Sequence, residues 1–454
     1  MERTRFAAAV LAALSATILT LSCAPLPRDV ETDPAVQAEQ KRPDFDNRIE
    51  DHSRRMLEEG RETFRYDSFG SEDFWGQSLR LHEAILGVKQ GGAGAGLTPR
   101  QALQAGLKVD VGKVPRLLVE VLREGAVSLD NPETTLELLR ADAVVGVKGI
   151  FDGKRMTSVG ITCALCHSTV DDSFTRGIGS RLDGWPNRDL DVGAVVSMAP
   201  TLEPVAKLLG VDEATVRKVL KSWGPGKYDA ELIHDGKGMR PDGKSAATVL
   251  PAAFGLAGVN LHTYNGWGSV TYWNAYVANT QMHGKGTFFD PRLKDAQQFP
   301  VAAKSGMWNM RALPGQDRVT PKLAALHYYQ LSIPAPEPPA DSYDATAAKR
   351  GKSLFDGKAR CATCHVPPLF TEPGWGMHTA EEIGIDDFQA SRSPDQRFYR
   401  TTPLRGLFTR AKGGFYHDGR FEDLEAVTDH YQRVLGLNLS AAERGDLVQY
   451  LKSL

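Results

Sequence analysis

The chain lacks any excess of one charge. Its 454 residues carry 54 basic and 56 acidic side chains, a formal net charge of −2. With no basic tail and no basic patch interleaved with aromatics, it has no nucleic-acid footprint, and we expect no nucleic-acid partner. Cysteine is scarce, with five residues in all. Four of them sit in two short motifs, so none is left for a structural disulfide. Apolar runs long enough to cross a membrane are missing as well. The one notable run, Ala7 to Leu21, is too short and too early for a span, and it follows Arg3 and Arg5. That pattern reads as an export signal that is absent from the mature chain.

The signal ends Thr20-Leu21-Ser22-Cys23. It resembles a lipoprotein signal, with Cys23 as the lipidated residue, although Thr20 stands where such signals carry Leu. An ordinary signal peptide cut near Ala24 is the alternative. Either way the chain is expected in the periplasm, and a lipid anchor at Cys23 would hold it to the membrane.

The remaining cysteines carry the chemistry. They read Cys163-Ala-Leu-Cys166-His167 and Cys361-Ala-Thr-Cys364-His365. In C-x-x-C-H two thiols add to the haem vinyl groups, and the adjacent His becomes the proximal iron ligand. The spacing lets one short loop reach both thioethers and the iron. A four-cysteine zinc site or a redox-active dithiol is the alternative, but zinc sites bring their halves closer in sequence and need no His after both. The reading is two covalently bound haem c groups, with His167 and His365 as axial ligands.

Gly149-Ile-Phe151-Asp152-Gly153-Lys154 precedes the first motif and Leu354-Phe355-Asp356-Gly357-Lys358 precedes the second. Placed before both, the match reads as an internal repeat of two cytochrome c units. A Pro-rich run from Ser332 to Asp341 favours extended geometry and reads as a linker. Helical signals dominate. Leu424, Val427, Tyr431 and Val434 form one helix face. Ser440-Ala-Ala-Glu443 is a capping box opening a last helix with Leu447, Val448 and Leu451. Ala347 to Phe355 reads as a helix, and Thr98-Pro99 as an N-cap followed by Pro. The region from about 35 to 145 also looks helical, with Phe64, Phe69, Phe74 and Trp75 as core candidates. It has no Cys, and its His52 and His82 are expected to be ordinary surface or core residues. The expected fold is mainly α: a signal (1–23), a helical N-terminal extension (24–140), a first haem c domain with insertions (141–331), a linker (332–341) and a second haem c domain (342–454).

The C-terminal third permits a comparison. Tyr399-Arg-Thr-Thr-Pro403-Leu404-Arg405-Gly406, Gly414-Phe-Tyr416-His417-Asp418-Gly419, Leu424-Glu-Ala-Val427 and the closing apolar helix resemble the bacterial di-haem cytochrome c peroxidase and MauG superfamily. The first haem unit matches more loosely, through Thr271-Tyr272-Trp273-Asn274-Ala275, Gln281 and Asp290-Pro291. The long N-terminal region resembles that of haem-containing rubber oxygenases of the same superfamily. The resemblance implies an exported di-haem oxidoreductase of peroxidase type with electron transfer between its haems. It implies a small periplasmic protein as electron donor or acceptor, a small oxidant (hydrogen peroxide or dioxygen), and a calcium ion between the domains. A haem-dependent oxygenase and a pure electron-transfer cytochrome are the alternatives.

Departures from the family pattern bear on mechanism. Where the peroxidases place a distal Met for the second haem, this chain has Tyr431 with His430 beside it; MauG-like proteins have Tyr. Neighbouring helix residues point about 100° apart, so only one of the two can face the iron. Met377 and His378 are further candidates. At the first haem the family's distal Glu falls on Leu293. Asp290 is the nearest carboxylate, and His262 or His283 could serve as sixth ligand or acid/base. Trp273 and Trp267 are candidate electron relays. Arg181 or Arg188 would suit the propionates, because guanidinium matches carboxylate geometry.

Overall fold

A computed structural model describes residues 44–123, 128–395 and 397–454. The expected export signal, including Cys23, lies outside them. The chain divides into two units, Met1–Ser53 and Arg54–Leu454. Of the first, only the described residues 44–53 enter here, and they open a long helix.

The molecule is mainly α, as expected. Helix α1 spans Phe45–Tyr66 and α2 Pro99–Gln104. Helix α2 begins on a complete capping box between Thr98 and Gln101 with Pro99 at the first turn, so its start is fixed by local chemistry. Helix α3, Pro132–Arg140, is capped by Asn131. A hairpin follows, β1 (Val147–Asp152) with β2 (Arg155–Ile161), antiparallel and bulged at Ile150/Phe151. It delivers the chain to α4 (Ala164–His167), which carries the first C-x-x-C-H. Helices α5 (Glu213–Trp223), α6 (Leu232–Asp235), α7 (Val270–Tyr276) and α8 (Leu323–Ser332) complete the middle of the chain. The stretch from Ile333 to Pro339 has no helix or strand. Helix α9 (Ala345–Asp356) precedes the second motif, and α10 (Leu424–Val434) and α11 (Ala441–Lys452) close the chain. Asp423 caps α10, and the Ser440–Glu443 box caps α11.

The core candidates Phe64 and Phe69 are fully buried and Trp75 nearly so, while Phe74 is half-buried. The largest apolar core runs from Trp75 to Ala247 and holds Leu165 of the first motif. A separate core contains Ala348, Phe355, Leu424, Leu447 and Leu451 around the second motif. Here α9 crosses α11 closely. A Cβ at Gly351 would run into the Asp446 carbonyl, so glycine is what permits the approach. No described helix is long and apolar enough to cross a membrane.

The two Phe-Asp-Gly-Lys strings adopt different local structures. Phe151-Asp152-Gly153-Lys154 lies in the strand and turn of the hairpin, and Arg140 covers the half-buried Phe151 ring. Phe355-Asp356-Gly357-Lys358 ends α9, with Phe355 fully buried. Glycine reverses the chain in both places, but the packing of the preceding residues decides between strand and helix.

Candidate functional site

The second motif opens on a cavity of about 480 Å³, within the range of cofactor pockets. Cys361, Cys364 and His365 line it together with Tyr264, Arg400, Tyr416, Tyr431 and a largely apolar remainder. Burial pushes the Cys361 thiol up to about 12. At the first motif the same effect puts Cys163 and Cys166 at about 12. The two cysteine pairs do not converge on one site, since the only group of metal-ligating side chains among the described residues is Cys364, Glu372 and His378. That geometry removes the four-cysteine zinc alternative.

The two histidines share one arrangement. His365 Nδ1 is 3.0 Å from the Phe370 carbonyl, and His167 Nδ1 is 3.2 Å from the Pro251 carbonyl. Burial holds each ring at about 4, so both are neutral. A neutral imidazole whose Nδ1–H is held by a carbonyl leaves its Nε2 lone pair free. This is the arrangement of a preorganised metal-binding histidine.

Three buried guanidinium groups line the cavity without an acidic partner among the described residues, Arg188, Arg400 and Arg410, beside the exposed Arg360. Arg400 donates to the carbonyls of Thr263 and Leu261. Arg410 donates to those of Pro403 and Arg405, and Arg188 to those of Lys412 and Gly414. Burial lowers all three, Arg400 and Arg410 to about 10. The Nε atoms of Arg188 and Arg410 are buried without a hydrogen-bond partner. Buried positive charge with spare donors calls for an anion. Thiols, a free imidazole nitrogen, apolar walls and an anion-seeking arginine trio together fit a haem and its two propionates.

Tyr431 lines this cavity, and burial pushes its phenol up. His430 does not line it. Its Nε2 lies 2.7 Å from the Ile383 carbonyl. Tyr416 stands beside Tyr431, with ring centroids 6.3 Å apart, at a left-handed φ of 68° that turns its side chain into the wall. His378 is also in the wall and 2.7 Å from Glu372. Met377 packs by Gly266.

Around the first motif the candidates scatter. His262 Nε2 is 3.0 Å from the Val259 carbonyl of its own loop. His283 stacks on Phe74 at 3.5 Å. Burial lowers both, to about 3 and about 4. Asp290 accepts from Tyr272 at 2.7 Å and pairs with Arg292. Burial pushes its carboxyl up, but those partners outweigh it and hold it below the usual range. Trp267 and Trp273 are in contact, with centroids 5.2 Å apart. Arg181 pairs with Asp110 through its Nε at 2.9 Å and keeps both terminal nitrogens buried without a hydrogen-bond partner, while Arg188 lines the second cavity. Sequence reasoning missed Arg410 as a lining residue, because nothing around it marks it. Arg400 lay inside a quoted family stretch without a role assigned.

No family model matches the chain. Over 153 residues it is 34% identical to the methylamine utilization protein MauG of Methylorubrum extorquens. The match covers 29% of this chain and 43% of that relative, so the chain spans less than half of the relative's length. Among solved structures, the di-haem peroxidase BthA of Burkholderia thailandensis aligns over 51% of this chain and 78% of its own, with TM-score 0.32 and 16% identity. A Kuenenia stuttgartiensis hydrazine synthase chain aligns over 52% and 92%, with TM-score 0.29 and 15% identity. Structural likeness at this level carries no argument about function.

Proposed function

We propose, from kinship with the bacterial di-haem cytochrome c peroxidase/MauG family that the sequence match supports, that this chain is an exported di-haem c-type oxidoreductase. It passes electrons between its two haems and reduces a small oxidant, hydrogen peroxide in the first instance. The observation that carries the reading is the cavity at the second motif, where thiols, a free imidazole nitrogen and three acid-free arginines face one space. When bound, the two haems would supply one-electron storage and, at an open iron position, activation of the oxidant.

The protein's own part is binding and orientation. Cys163, Cys166, Cys361 and Cys364 tether the two groups, and His167 and His365 present Nε2 to the irons. Arg188, Arg400 and Arg410 neutralise the propionates of the second haem. Tyr431 is the distal ligand there, since it rather than His430 faces the cavity. Tyr favours ferric iron more than the peroxidases' Met does, and so lowers the potential. Trp267 and Trp273 carry electrons between the haems. The protein works in the periplasm with a small redox protein as partner, and Cys23 anchors it by lipid.

Spectroscopy of the ferric and half-reduced protein tests this. One high-spin haem beside one low-spin haem supports catalysis at the first iron. Two low-spin haems would make the chain an electron-transfer cytochrome. Stable dioxygen binding at the first haem without peroxide turnover would favour the oxygenase reading, which the long N-terminal region suggests.

A further inference from the structure

A dense aromatic cluster joins the surroundings of the two motifs. Trp273 lies 5.2 Å from Trp267 and 5.1 Å from Tyr276, and Tyr272 stacks on Tyr276 at 6.0 Å. All four belong to one buried core. Val277 packs both in that core and in the core that holds Cys163. At the other end Tyr264, on the same loop as Trp267, lines the second cavity. Electrons moving between the two regions meet this cluster.

The members differ in where a proton can go. The indole N–H groups of Trp267 and Trp273 are buried, with no acceptor among the described residues. A tryptophan oxidised there keeps its proton as a radical cation and passes the charge on. The tyrosines have acceptors. The Tyr276 hydroxyl is 2.8 Å from His234 Nε2 and 3.0 Å from Nδ1. It also lies 3.1 Å from the Ala230 carbonyl, which cannot take the proton. Both residues are fully buried, and burial keeps the His234 ring neutral, at about 3. Around His234 the Arg392 guanidinium opposes a positive imidazolium and Asp290 favours one, and a tyrosine that has lost an electron is acid enough to protonate the neutral ring. Tyr272 also has an acceptor, Asp290 at 2.7 Å, but Arg292 pairs with that carboxylate and holds it below the usual range, which makes it the weaker base.

We propose that Tyr276 is a redox-active tyrosine, with His234 as its proton acceptor and the Trp267–Trp273 pair as its electron route. The proposal rests on the peroxidase reading. In the step, Tyr276 gives one electron to a one-electron oxidising equivalent derived from hydrogen peroxide. Its O–H bond breaks as an N–H bond forms on His234, leaving a neutral phenoxyl radical and an imidazolium. One electron from the small redox-protein donor, and the proton returned by His234, restore the phenol. The second electron of peroxide reduction comes from the same donor.

Freeze-quench electron paramagnetic resonance of the peroxide-treated di-haem protein should show a tyrosyl radical that narrows with ring-deuterated tyrosine. Tyr276→Phe, which keeps the ring and its packing, should abolish it, and Tyr272→Phe should leave it. His234→Phe should cut its yield while both haem spectra stay unchanged. Driving the same variants with a photogenerated ruthenium(III) oxidant bypasses peroxide, so the proposal remains decidable if the haems do not react with peroxide. A radical that survives Tyr276→Phe overturns the proposal. So does one lost only in Tyr272→Phe, or oxidation by both routes with no protein radical, in which case the cluster is packing alone.

Discussion

Tyr431 and His430 are adjacent in sequence, yet α10 sends one into the cavity and the other to a backbone carbonyl. Tyr431→Phe is therefore expected to shift the spectrum and raise the potential of one haem only, while His430→Ala leaves both spectra in place. Redox titration with optical detection reads both variants, and a low-spin haem turned high-spin by His430→Ala would reverse the assignment. A second residue-scale expectation concerns Asp229. Burial, opposed by Arg392, pushes its carboxyl up to about 7, against an unfolded value of about 3.9. The folded state thus holds the proton more tightly, so stability falls as pH rises from about 4 to 7. Asp229→Asn keeps an oxygen for Arg392 and removes the titration. Denaturant melts across that window should slope less in the variant than in the parent.

Helix pairing is the point of vulnerability at the next scale. Gly351→Ala forces α9 off α11 at the Asp446 carbonyl. Over-packing of this kind costs about 1–3 kcal/mol, and chemical denaturation should register that loss in the C-terminal core. Elements set by neighbouring residues were legible in the sequence. The N-cap of α2 and the capping box of α11 are local hydrogen-bonding arrangements, and both stand where Thr98 and Ser440 put them. The hairpin before the first motif was not legible, because the same Phe-Asp-Gly-Lys string ends a helix elsewhere and only packing tells the two apart. The site divides the same way. Thiols and histidines come in one short string, whereas Arg188, Arg400 and Arg410 meet from distant segments and have no common pattern to read.

At the scale of the whole molecule the first expectation is stoichiometry. Mass spectrometry of the exported protein should find two covalent haems, and Cys361→Ala with Cys364→Ala should leave one. The wall of the second cavity is not the property of its own segment. Arg188, Pro251, Phe254 and Tyr264 line it from the middle of the chain, and Arg188 is tied to Lys412 and Gly414 across it. Residues 342–454 expressed alone should take up haem through their thiols yet leave one side of it open to solvent, visible as a ferric spectrum displaced from that of the second haem in the whole chain. On the export proposed above the chain emerges from its N-terminus, so Arg188 and its supporting wall arrive before Cys361 does. The thiols of the second motif would then be the last part of the wall to be delivered.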